Sequence, residues 1–237
     1  MRINRFLASC NLGSRRSVEK LIRDGKVFVN GTKVVDLSFQ VSPTDKVFCN
    51  GSLLKQHKRK IYIAINKPPH YIVSAKDELG RATLADLLPD FGTRVFPVGR
   101  LDKMSTGLIF FTNDGDFANR ILHPNHKFPK LYKVKIKGRV GNEIVDRLRN
   151  GVKIDGEKTL ACKVFVKSRN SASTLLKIEL FQGKKRQIRK MLKLFGFDVY
   201  SLKRLQIGCV KLGSLPAGEW RYLKKWEIAF FNKDNPH

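Results

Sequence analysis

Four cysteines occur in 237 residues, Cys10, Cys49, Cys162 and Cys209, and none forms a Cys-x-x-Cys pair. Scattered thiols of this kind exclude a zinc knuckle or a disulfide framework and fit a reducing cytosol. His123 and His126 lie three apart, but Pro124 stands between them and no acidic or thiol ligand is adjacent. They read as loop histidines, and no metal is expected. The opening Met1-Arg2-Ile3-Asn4-Arg5-Phe6-Leu7 lacks the apolar stretch of a signal peptide. Apolar runs such as Leu108 to Phe111 are far too short to span a bilayer. There is no Gly-x-x-x-x-Gly-Lys phosphate loop, no Gly-x-Gly-x-x-Gly turn and no Gly-x-Ser-x-Gly elbow. These absences predict a soluble, cytoplasmic, monomeric protein that needs no cofactor.

Acidic residues are scarce too. Twenty Asp and Glu face 47 Lys and Arg, a formal charge of +27. So large an excess repels itself in the compact state. A polyanionic partner offsets it, because phosphate contacts release condensed counterions. An anionic membrane is the rival partner, but no amphipathic basic helix with an exposed bulky face is present. Nucleic acid is therefore expected and a membrane is not. With 42% hydrophobic residues the chain should fold, as a catalytic domain plus a small module.

Residues 1–50 read as that module. Ile3, Phe6 and Leu7 recur at helical spacing, and Asn11-Leu12-Gly13 ends the helix. Ser14 is a fair N-cap for a second helix carrying Val18, Leu21 and Ile22. Short strands are expected at 26–29 and 32–35, around the hairpin signal Asn30-Gly31, and again at 46–49 before Asn50-Gly51. Residues 1–60 hold 13 Lys and Arg against four Asp and Glu, with Arg15, Arg16, Lys20 and Arg23 on or beside the second helix. This stretch resembles the alpha-L RNA-binding domain of the small-subunit ribosomal protein S-four type, notably from Ser14 through Lys20-Leu21-Ile22 to Asn30-Gly31. The resemblance implies that the helix pair docks on structured RNA. Residues 51–60, with Lys55, Gln56, His57, Lys58, Arg59 and Lys60, read as a basic linker.

Residues 61–237 read as the catalytic domain. Strands are expected at 61–65, 95–98, 108–112, 131–137, 162–166 and 174–181, and helices at 83–88, 116–122, 142–149 and 186–195. The segment 131–137 alternates apolar and basic residues as an edge or half-exposed strand would. This antiparallel-looking succession with interspersed helices argues an α+β fold.

Between two apolar strands lies Gly99-Arg100-Leu101-Asp102-Lys103-Met104-Ser105-Thr106-Gly107. A loop so placed can aim a side chain at a ligand. Asp102 is an acid among cations that would hold it ionised, although most such residues form turns or salt bridges. The segment, with its sequel Leu108-Ile109-Phe110-Phe111-Thr112-Asn113-Asp114-Gly115, resembles the RsuA/RluB/RluE/RluF family of pseudouridine synthases. Asn66-Lys67-Pro68-Pro69 resembles that family's Lys-Pro motif, Lys130-Leu131-Tyr132 its Lys-x-Tyr segment, and Gly183 to Met191 its Gln-Ile-Arg helix. Leu202 to Gly208 and Pro216 to Arg221 also fit. Met104 and Thr106 fill variable positions, and Lys184-Lys185 makes the helix motif unusually basic.

The resemblance implies that Asp102 is the catalytic aspartate, that Tyr132 stacks on the target base and that Arg189 pairs with Asp102, with Ile188 or Leu202 as an apolar neighbour. It implies isomerisation of a uridine in ribosomal RNA, without cofactor. A carboxylate can act as nucleophile on either the sugar or the base, and both routes stay open. The Ser-Arg-Arg run and His123-Pro124 lean toward large-subunit RNA as substrate, with small-subunit RNA as the alternative. A non-catalytic assembly factor and a methyltransferase are the competing readings. The complete Asp102, Tyr132 and Arg189 set speaks against the first, and the missing glycine-rich loop against the second.

Two acid-free runs flank these residues, Lys127 to Arg139 and Lys184 to Lys193, each with six basic residues. Arg100, Lys130, Lys184, Lys185 and Arg186 are expected to contact RNA, as are Arg15, Arg16 and Lys20 in the module. Each lost phosphate contact lowers the slope of log affinity against log salt by about 0.7–0.9. Replacing Arg15, Arg16 and Lys20 by Ala should then flatten that slope by roughly two to three. Binding to a structured RNA across a salt series measures it, and an unchanged slope would assign the module to another partner.

Overall fold

From Tyr132 to Lys137 every second side chain is apolar, and the lysines between them are exposed, so the segment extends as a strand with one covered face. The computed structural model describes residues 1–56, 59–74 and 80–233. His57 and Lys58 of the expected linker lie outside the described residues. The chain divides into two units, Met1–Lys60 with Asp90–Val95, and Ile61–Pro89 with Phe96–His237.

The first unit begins with α1 (Ile3–Ser9) and α2 (Arg15–Arg23). The Ser14 side chain caps α2 by accepting from the Ser17 amide at 3.1 Å. Strands β1 (Val27–Val29), β2 (Thr32–Lys33), β3 (Val47–Cys49) and β4 (Ser52–Leu53) form a sheet in the order β2-β1-β3-β4. Asn30 and Asn50 take left-handed φ of 51° and 49°, each followed by Gly, and so close two hairpins. The second hairpin corrects the expected linker: Ser52 and Leu53 pair with Cys49 and Phe48. Ile3, Leu7, Val18, Ile22, Val27 and Val47 share one core. Asp90–Val95 clusters here although the sequence suggested the catalytic stretch. The Asn11 side chain, on a left-handed turn, accepts from the Thr93 hydroxyl at 2.9 Å and the Arg94 amide at 3.0 Å.

The second unit holds β5 (Tyr62–Lys67), β6 (Phe96–Val98), β7 (Thr106–Thr112), α3 (Gly115–Leu122), β8 (Lys130–Lys137), α4 (Asn142–Arg149), β9 (Lys153–Ile154), β10 (Glu157–Lys158), β11 (Lys163–Arg169), β12 (Ser173–Leu180), α5 (Gln187–Lys193), β13 (Val199–Ile207), β14 (Val210–Lys211), β15 (Trp220–Tyr222) and α6 (Lys225–Asn232). The main sheet runs β11-β12-β8-β13-β7-β5-β15, with β6 on β7 and β14 on β13. The α+β expectation holds. The strand β8 is not an edge: it lies between β12 and β13, and its alternation arises because only one face is covered. The segment 83–88 forms a 3-10 turn at Leu84–Leu87 instead of an α-helix.

Two cores serve this sheet. Val134, Ile136, Leu176 and Ile178 pack with Val145 and Leu148 of α4 and Met191 and Leu192 of α5. Leu108, Phe110, Phe117, Ile121, Phe128 and Phe231 form the other. The two halves of the sheet join where β7 and β13 run parallel, Lys203 beside Thr106 and Arg204 beside Gly107, in an otherwise antiparallel array. Gly107 makes that approach possible. Its φ is +100°, and a Cβ there would stand 2.2 Å from the Arg204 carbonyl oxygen. Left-handed backbone strain and overpacking together predict that Gly107→Ala destabilises the protein by roughly 2–4 kcal/mol. Denaturant unfolding checks this, and a wild-type midpoint would refute so tight a crossing.

Candidate active site

The register of β12, β8 and β13 lays one strip of side chains side by side. Ile178 and Arg204 are the cross-strand partners of Tyr132, Leu180 is opposite Lys130, and Leu202 is opposite Val134. Over this strip sits a cavity of about 150 Å³, lined also by the 99–102 loop, Ser105, and the approach to α5 from Gly183 to Ile188. Ile188 and Leu202, the two apolar candidates, both line it.

Asp102 is on the cavity wall. Its Oδ2 lies 3.8 Å from Nε of Arg189, an ion pair too long for a hydrogen bond, and its side chain is 41% exposed. Arg189 is held from behind, as its guanidinium donates to the Val199 carbonyl at 3.1 Å. The Ser105 amide donates to the Asp102 carbonyl at 3.0 Å and so bends the chain just after the acid.

The strongest restraint on this loop comes from a residue to which the sequence assigned no role. Lys67 ends β5 with no solvent exposure. Its ammonium donates to the carbonyls of Pro68 at 3.0 Å, Lys103 at 2.9 Å and Ser105 at 2.8 Å. It therefore grips the chain on the C-terminal side of Asp102. Burial pushes its pKa down to about 8, while the charge of Asp102 pulls the other way. The legible signal was a lysine closing an apolar strand directly before Pro-Pro.

Tyr132 is buried, at 8% exposure, in the strip beside Arg204. Arg100, Lys130, Lys184 and Arg186 all line the cavity. Lys185 is exposed and does not line it. Lys184 pairs with Glu157. Arg186 adopts a left-handed φ of 54° at the start of α5. Arg15, Arg16 and Lys20 are exposed on α2, in the other unit. Arg204, which the sequence did not single out, is 4% exposed and lies within the cavity lining. Burial and the neighbouring Arg204 charge push Lys130 down to about 8. Burial pushes the thiols of Cys10, Cys162 and Cys209 up to about 11, which leaves them poor nucleophiles. Among the described residues no group of His, Cys, Asp and Glu could hold a metal ion, and no helix is long and apolar enough to cross a membrane.

Lys67→Met should leave the Pro68 and Ser105 carbonyls without this donor, at roughly 1–3 kcal/mol for each group left unpaired, while the Lys103 carbonyl keeps the His70 amide at 3.0 Å. It should also alter the pH dependence of stability. The folded pKa of Lys67 is lowered from 10.5, so between about 8 and 10.5 the unfolded chain binds more protons at this residue. The ammonium's burial cost is full below about pH 8 and fades as pH rises toward 10.5. Over that window wild-type stability should therefore gain on that of Lys67→Met. Unfolding both proteins from pH 7 to 10.5 measures the difference, and parallel curves would contradict the assignment.

Comparison with known proteins agrees with this architecture. The pattern of the RNA pseudouridylate synthase family matches residues 61–194, and that of the S4 domain matches residues 1–47. An RNA pseudouridine synthase of Aquifex aeolicus is 40% identical, over 97% of this chain and 92% of its own. The ribosomal large subunit pseudouridine synthase B of Bacillus subtilis is 33% identical, over 96% of this chain and 93% of its own. A crystal structure of a pseudouridylate synthase superposes with a TM-score of 0.70 and 28% identity, over 98% of this chain and 99% of that one.

Proposed function

This chain belongs to the RNA pseudouridylate synthase family, and from that premise we propose that it isomerises a uridine of large-subunit ribosomal RNA with Asp102 as nucleophile. As a pseudouridine synthase it breaks the bond from sugar to base nitrogen, turns the base and rejoins it through carbon. The observation that carries our assignment is the Asp102–Arg189 pair beside a cavity whose floor holds Tyr132. Arg189 orients the carboxylate for attack. Tyr132 offers an aromatic face to the base and a hydroxyl able to move a proton. The cavity lies between the strand strip, the 99–102 loop and the approach to α5, so the target nucleotide leaves its stack to enter, at a cost of about a few kcal/mol.

Phosphate contacts offset that cost. Arg100, Lys184 and Arg186 line the cavity and Lys185 is exposed beside it, all in reach of the strand that carries the flipped nucleotide. Arg15, Arg16 and Lys20 of the S4 unit grip a separate, folded part of the same RNA. The named specificity of the Bacillus subtilis relative, at 33% identity over nearly the whole chain, favours the large subunit. In this reading the enzyme works as a monomer in the cytoplasm, where ribosomal RNA is its substrate.

The test is direct. Pseudouridines are mapped in both ribosomal RNAs from cells that express the wild type, Asp102→Asn or neither. One large-subunit pseudouridine should depend on the wild type and vanish with Asp102→Asn, while the purified variant binds RNA within roughly threefold of wild type. Near wild-type turnover by Asp102→Asn would remove Asp102 from the chemistry, and a missing small-subunit site would reassign the substrate.

A further inference from the structure

The cavity beside Asp102 holds more positive charge than its ion pairs use. Arg204 donates from Nε to the Leu108 carbonyl at 2.6 Å. Its Nη2 is buried without a hydrogen-bond partner among the described residues. Lys130 donates to the Phe128 carbonyl at 3.1 Å. Neither cation takes part in any ion pair among the described residues. They are close enough for the charge on Arg204 to weaken the hold of Lys130 on its proton. The Ser105 hydroxyl, on the same cavity, is also buried and unpartnered.

Buried donors are normally satisfied, and leaving one without an acceptor destabilises the fold. Unspent donors around one cavity therefore point to an acceptor that arrives with the substrate. Two features identify it. A cavity of about 150 Å³ is the size that takes up a single six-membered ring. The register also sets both cations against the stacking residue: Arg204 is the cross-strand partner of Tyr132, and Lys130 precedes it by two on the same strand face. What enters is a flat ring with acceptors on its rim, the description of uracil with its O2 and O4.

We propose that Lys130 and Arg204 form a cationic wall that takes up, through O2 and O4, the negative charge uracil acquires during the isomerisation. This rests on the pseudouridine synthase reading above and adds two catalytic residues to it. When an Asp102 carboxylate oxygen bonds to C1′ and the bond from C1′ to N1 breaks, that bond's electron pair leaves with the base and spreads over N1, O2 and O4. The base turns, an electron pair at C5 forms the new bond to C1′ as the Asp102 oxygen leaves it with its own pair, C5 loses its proton and N1 takes one up. Atoms and charge balance with no outside reagent. If Asp102 adds to C6 of the ring instead, the displaced pair comes to O4 through C5, so the wall serves that route at O4. Fixed charges placed where charge develops stabilise the transition state more than the ground state. Cytosine would turn an amino donor toward these cations, so the wall also selects uracil.

The experiment compares wild type with Lys130→Met, and with Arg204→Lys as a second variant that keeps the buried charge near Leu108. Single-turnover consumption of the target nucleoside is followed on RNA carrying uridine or 5-fluorouridine at that position. Lys130→Met should lower the uridine rate by roughly 100- to 1,000-fold, with RNA affinity within about threefold and the unfolding midpoint preserved. Fluorine withdraws electrons, so the base itself bears the charge better, and the defect on 5-fluorouridine should be smaller by roughly tenfold or more. Arg204→Lys should show the same pattern in milder form. An equal defect on both substrates would reduce Lys130 to a structural residue and overturn the proposal. An unchanged uridine rate would do the same. A wild type that converts no uridine sinks both readings; a wild type that converts it while Lys130→Met keeps pace sinks this one alone.

Discussion

The active-site loop hangs on one buried ammonium. Removing the Lys67 charge from water costs several kcal/mol, a debt that only well-placed partners can offset. Three carbonyls at 2.8 to 3.0 Å supply them, and two belong to Lys103 and Ser105, just after Asp102. The end of β5 and the start of β7 are thereby tied together at the point where Asp102 projects. A loop of this length would otherwise sample many conformations, each placing the Asp102 carboxylate differently. The same ammonium also adds a positive field to the Arg189 pair.

The second constraint is the junction of β7 and β13. The sheet folds as two antiparallel halves, and only this parallel contact makes them one surface. It sets the loop preceding β7 beside the strip formed by β12, β8 and β13. Without it, Asp102 and Tyr132, thirty residues apart in sequence, would not face a common cavity. Gly107 allows the crossing, and the Arg204 Nε bond to the Leu108 carbonyl fastens it from the other strand. Arg204 therefore joins architecture to chemistry.

Charge in this protein falls into two physical classes. Lys184, Lys190 and Lys193 pair with Glu157, Asp155 and Asp198 at the surface, where such pairs contribute little to stability. They contribute to the long-range field that draws in RNA, which is strong in a chain of formal charge +27. Arg204 is buried and Lys130 half-buried, neither has a carboxylate partner among the described residues, and their effect is local, because low polarity strengthens it.

The two-module plan, the helix pair with its Asn-Gly hairpin, and the Asp102 loop were legible in the sequence. They rest on local chemistry: a Ser cap, left-handed Asn-Gly turns, period-two alternation and short ordered motifs. The hairpin of β9 and β10 carries such a signal in Asp155-Gly156, a left-handed turn between two-residue strands. The strand β13 and the helix α6 were not assigned. The inner place of β8, the grip of Lys67 on two distant carbonyls and the adjacency of Lys130 and Arg204 depend on which strands pair, and pairing is decided by burial across the whole domain. Sequence chemistry named Asp102, Tyr132 and Arg189. Only the tertiary structure decided that the donors around them lack acceptors of their own, since satisfaction of a hydrogen bond is a property of neighbours in space.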